Sequence, residues 1–75
     1  MSKLSNNEII ESVLKNIPNP HLIKNIDLSF DDSIRFDWIG RRYKVSYDLY
    51  VEVVEDGVLT RENDAKFLQH LLMGN

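Results

Sequence analysis

The chain has no cysteine, so disulfide cross-links and thiolate chemistry are excluded, a usage that fits a reducing compartment. Glycine and proline are scarce. Two prolines and three isolated glycines, Gly40, Gly57 and Gly74, provide no phosphate-cradling loop and argue against wholesale disorder. His21 and His70 are the only histidines, and without cysteine they complete no zinc set. No apolar run approaches the roughly 20 residues that a membrane-spanning helix needs, and Met1 to Ser5 lead into no apolar signal core. A cytoplasmic location without membrane association is therefore expected.

The same scarcity extends to sites. Ser33 and Ser46 have no nucleophile elbow or glycine-rich setting around them. Asp27, Ser29, Asp31 and Asp32 imitate the opening of a calcium loop, but Asp32 and Trp38 stand where that loop requires glycine and glutamate. No catalytic residue, metal ligand or cofactor site is expected, and the chain is not expected to be an enzyme.

What is present is the pattern of a small globular domain. At 75 residues, 43% apolar and 28% charged, the chain is expected to form one marginally stable domain over 1–75, with 1–4 disordered. Ser5-Asn6-Asn7-Glu8 spells a capping box that starts a helix at Asn6. Ile9, Ile10, Val13, Leu14 and Ile17 then recur at helical spacing, and Pro18-Asn19-Pro20 stops the run.

Ile26, Leu28 and Phe30 alternate with polar residues, as a half-buried strand does. A three-residue loop, Asp31-Asp32-Ser33, is expected to bring Phe30 opposite Ile34, Leu28 opposite Phe36 and Ile26 opposite Trp38, so that all share the core face. Ile34, Phe36 and Trp38 lead into an Ile39-Gly40 turn, after which Tyr43, Val45 and Tyr47 resume the alternation. Parity continues through Leu49, Val51 and Val53. One unbroken strand from Arg41 to Val54 would run roughly 46 Å, about twice the diameter of a domain this small, so a break is expected near Tyr47-Asp48 and a further strand over Leu49–Glu55.

Glu55-Asp56-Gly57 signals a turn, Val58-Leu59 is expected to tuck beneath the sheet, and Thr60 or Asn63 to cap a last helix whose apolar stripe is Phe67, Leu68, Leu71 and Leu72. Gly74 follows where a helix commonly stops. The expected fold is a two-layer α+β domain, α-β-β-β(-β)-α, with both helices packed on one face of an antiparallel sheet.

Charge is unevenly spread along a chain of net charge −3. Arg35, Arg41, Arg42 and Lys44 face only Asp37 in their stretch, whereas Asp48, Glu52, Glu55, Asp56, Glu62 and Asp64 face only Arg61. A dipolar molecule is expected. Arg35 and Lys44 oppose each other on the outward parity, a repulsive pair unless an anion lies close, while Arg42 can pair with Asp37. Tyr50 shares that parity and is the kind of aromatic anchor favoured in interfaces. The leading expectation is a small non-catalytic protein-interaction module, regulatory or inhibitory, which docks on a larger protein through its sheet face or acidic edge. Its partner-binding residues would be Arg35, Arg42, Lys44 and Tyr50.

The element order resembles that of double-stranded-RNA-binding domains, which grip phosphates with a basic start to the last helix. Here the corresponding segment, Thr60 to Lys66, sets Glu62 and Asp64 against Arg61 and Lys66. The resemblance implies nucleic-acid binding, through the basic hairpin, as the alternative function.

Overall fold

The computed structural model describes residues 4–74. Residues 1–3 of the expected disordered start lie outside the described residues, but Leu4 is ordered: it packs half-buried against the core. Helix α1 (Asn6–Asn16) begins as its capping box dictates, with the Glu8 amide donating to Ser5 Oγ at 3.2 Å and the Ser5 amide donating to Glu8 Oε1 at 2.8 Å. Ile9, Val13 and Ile17 are buried, whereas Leu14, at the margin of the stripe, is 43% exposed. Beyond Pro18, Asn19 turns left-handed and Pro20–Leu22 forms one turn of 3-10 helix.

Five strands follow in a plain antiparallel meander: β1 (Lys24–Asp27), β2 (Ser33–Trp38), β3 (Arg41–Ser46), β4 (Val51–Glu55) and β5 (Val58–Thr60). The central hairpin has the expected register, Ile34 opposite Val45, Phe36 opposite Tyr43 and Asp37 opposite Arg42. Ile39 and Gly40 turn at φ 47° and 78°, the paired positive values whose twist suits a two-residue hairpin loop. The chain breaks at Tyr47-Asp48 as expected, with Leu49 at φ 66°, so β4 starts at Val51 rather than Leu49 and Tyr47 lies in the loop, exposed. Tyr43 and Val45 then face Val53 and Val51.

Helix α2 (Asn63–Leu72) closes the fold. Packed on β4, with α1 on β2, it buries Ala65, Leu68 and Leu72 over the apolar sheet face that carries Ile34, Phe36, Tyr43, Val45, Val51 and Val53. Trp38 is buried too, and its indole N–H donates to the Pro18 carbonyl at 3.1 Å, tying the end of α1 to the hairpin. The fold is α+β with two helices over one antiparallel sheet, and no helix among the described residues is long and apolar enough to cross a membrane.

Four details differ from the sequence expectation, each for a physical reason. First, β1 ends at Asp27, and its register sets Lys24 opposite Asp37 and Asp27 opposite Arg35. The Asp27 carboxylate turns back to accept from the Ser29 amide and hydroxyl, and the Asn6 side-chain amide donates to the Leu28 and Phe30 carbonyls, so this backbone is satisfied without a ladder. Ile26, Leu28 and Phe30 are accordingly exposed: Ile26 keeps to the helix side but only at the margin of the core, and Phe30 lies under the Arg35 guanidinium. Second, Val58 and Leu59 form the edge strand β5 instead of tucking under the sheet. Third, Phe67 is exposed, because the side of α2 that meets β4 is the one carrying the small Ala65. Fourth, Glu62 occupies the N-cap position, without a side-chain capping bond, in place of Thr60 or Asn63.

Candidate functional site

Alternation along β2, β3 and β4 sends Arg35, Asp37, Arg42, Lys44 and Glu52 to the sheet face that neither helix covers. Asp27 joins them opposite Arg35, and Val54 and Leu59 oppose each other at the β5 side. Three cations thus meet three carboxylates on a rigid five-stranded surface. The Arg42 guanidinium donates to Asp37 Oδ1 at 2.9 Å and to the Asn25 carbonyl at 3.2 Å. Asn25 Nδ2 donates to the other Asp37 oxygen at 2.7 Å, and these bonds, with Asn25 contributing most, hold the Asp37 carboxyl below the usual aspartate range. Lys44 lies 3.9 Å from Glu52, the anion that relieves its opposition to Arg35.

Arg35 is placed differently. Its guanidinium lies 4.4 Å from the centroid of the Phe30 ring, and no carboxylate of the described residues is within ion-pair distance of it. The carboxylate across the strand, Asp27, is held by Ser29, whose hydroxyl and amide lower its pKa. A guanidinium over an aromatic face is attracted by the ring without consuming its N–H donors, which can bind a carboxylate in pairs. Arg35 Nε, on the inner edge, is buried and unpartnered among the described residues.

Arg35, Arg42 and Lys44 are therefore brought together, but Tyr50 is not one of them. It sits in the loop before β4 with its ring 4.2 Å from the Arg61 guanidinium. Arg61 in turn donates to the Val51 carbonyl and to Gln69 Oε1, which accepts from the Val51 amide at 3.0 Å, so this cluster closes the free stretch of the β4 edge. Parity predicted Tyr50 on the open face only by counting through the loop as though it were strand. Conversely, Phe30 and Asn25 belong to the face and were missed: Phe30 read as core by alternation, and nothing local marks Asn25 as a bulge residue.

Arg41 belongs to neither group. Opposite Trp38, it takes the helix-covered side and meets Glu55 at 3.0 Å, Glu62 at 2.9 Å and Asp64 at 3.1 Å; Glu62 first and then Asp64 raise the Arg41 pKa further, and the Arg41 guanidinium in turn depresses that of Glu62. The basic and acidic blocks of the sequence thus fold against each other rather than forming opposed poles. His21, in the 3-10 turn, and His70, on α2, are exposed. Among the described residues no group of three His, Asp or Glu side chains is placed to hold a metal. Comparison with protein-family models, with curated proteins and with solved structures found no match.

Proposed function

We propose that this chain is a small non-catalytic interaction module, regulatory or inhibitory in role, that docks on a larger protein through the uncovered face of its sheet. The observation that carries this reading is Arg35: a cation over the Phe30 ring, with Arg42 and Lys44 beside it already matched and no carboxylate of the described residues within ion-pair distance of it. A carboxylate on a partner completes it. Val54 and Leu59 add apolar contact at one flank, so the face combines a preorganised arginine with an apolar border, a composition suited to protein recognition.

Nucleic-acid binding has less support from the geometry. Of the four hairpin cations, Arg41, Arg42 and Lys44 are matched by carboxylates, which leaves Arg35, with Lys24 at the β1 edge, to face a phosphate backbone.

The reading is tested by placing a photo-crosslinking residue at Val54, or at Lys15 on α1, in the native host and identifying the adducts. Adducts from Val54 that disappear when Arg35→Glu is added support sheet-face docking. Adducts from Lys15 alone, or Val54 adducts indifferent to Arg35→Glu, contradict it.

A further inference from the structure

The outer edge of β1 has no strand partner, and the surface beside it is unusually apolar. A crevice between α1 and β1 is lined by Ile10, Leu14, Ile23 and Ile26, with the core residues Ile34 and Phe36 at its floor. Leu14 and Ile26, which line it, are 43% and 44% exposed, and Leu28, just beyond β1, is 47% exposed. The core residues beneath stay buried, so the seam exposes the apolar side chains at its rim rather than the core itself.

We propose that this edge is the interface between two copies of the chain, related by a twofold axis. The bulge in β1 specifies the occupant. Between Lys24, opposite Asp37, and Asp27, opposite Arg35, β1 holds one residue more than β2 does, and Asn25, at φ 53°, takes up the difference. Residues three apart in a regular strand point to opposite faces, but here Lys24 and Asp27 share the open face. Residues directly opposed in an antiparallel pair also share a face, so a second β1 running antiparallel about an axis between Asn25 and Ile26 sets Lys24 against Asp27 of the second copy, and Asp27 against its Lys24. Lys24 has no carboxylate within ion-pair distance in its own chain, among the described residues. On the helix side of the same edge, Ile26 lies next to the axis and comes beside its counterpart, with Leu14 of each copy on the adjoining helix. Such an interface is isologous and closes at two. The bulge that permits this register also discourages open-ended strand addition. The open sheet face stays free in the dimer, so the proposal stands or falls separately from sheet-face docking.

Sedimentation equilibrium of the full chain, from low micromolar to about millimolar at low salt, reads it directly. A reversible dimer is expected. Lys24→Glu sets Glu against Asp twice across the axis, and Asp27→Lys sets Lys against Lys, so each variant alone should dimerise at least about tenfold more weakly. Mixed in equal amounts, the two carry complementary charges at both contacts, and association should return. Asp27→Lys also removes the acceptor of Ser29, so Leu14→Glu, on the exposed side of α1, provides an independent disruption with the edge strand intact. A chain that stays monomeric throughout the range, a dimer unaffected by Lys24→Glu and Leu14→Glu, or a mixture that associates no better than its components overturns the proposal.

Discussion

Ile39 turns the β2–β3 hairpin at φ 47° with a β-branched side chain that is 57% exposed. The left-handed region costs an L-residue roughly 1–2 kcal/mol, and asparagine tolerates it best after glycine. Ile39→Asn, which gives the favoured Asn-Gly turn, should therefore raise stability by about 1 kcal/mol, read as a higher thermal midpoint. A lowered midpoint would show that Ile39 makes contacts that outweigh its backbone cost. At Asp37 the prediction concerns pH. Its folded pKa lies below the ordinary value because Asn25 and Arg42 bind the ionised form, so its contribution to stability is present above an unfolded pKa of about 4 and is lost as pH falls through the depressed folded value. Asp27 and Glu62 act with the same sign. The urea midpoint should fall as pH drops below about 4, and Asp37→Asn should flatten that part of the profile. The Asp37–Arg42 pair was legible in the sequence because Ile39-Gly40 fixes the register from two residues. Asn25 was not, since only the register of an entire strand shows that it is a bulge.

Among the elements, α1 was legible almost to the residue because its signals are local: a capping box at one end and two prolines at the other. β1 was not, for the opposite reason. The alternation Ile26, Leu28, Phe30 is what a strand would show, yet the strand stops at an Asp27–Ser29 turn, and the loop after it is held by Asn6, more than twenty residues away in sequence. The edge of β4 depends on long-range contact in the same way. Gln69 Oε1 accepts from the Val51 amide at 3.0 Å and from Arg61 at 2.7 Å, where β5 no longer covers the edge. Gln69→Ala should cost about 1–3 kcal/mol by leaving a part-buried amide unsatisfied, whereas Gln69→Glu keeps the acceptor and should be much milder. Chemical denaturation of the two variants separates these outcomes; equal losses would place the importance of Gln69 elsewhere than in its carbonyl.

For the whole molecule, parity along the central hairpin was enough to sort the core from the open face: Ile34, Phe36, Trp38, Tyr43 and Val45 inward, Arg35, Arg42 and Lys44 outward. Phe36, 1% exposed beneath the helices, should cost about 3–5 kcal/mol on replacement by alanine, much of what a domain this small has. A loss under about 1 kcal/mol in denaturant titration would mean that the core collapses around the gap. The charge distribution was legible only as a list of signs. Once folded, the acidic segment supplies Glu52 to Lys44, and Glu55, Glu62 and Asp64 to Arg41, so most of the apparent dipole is spent inside the molecule. Among the described residues, Arg35 and Lys24 remain without an ion-pair carboxylate on the open face, and Arg35 is the one carried by the central hairpin. The most direct measurement is therefore the affinity of the crosslinked partner, once isolated, for Arg35→Ala against the unmodified chain, with Lys15→Ala as the control on α1. Arg35→Ala should weaken binding by about 1–3 kcal/mol, roughly 5- to 150-fold, with the melting temperature kept and Lys15→Ala without effect. Unchanged affinity in an Arg35→Ala chain that melts normally would contradict docking through the sheet face.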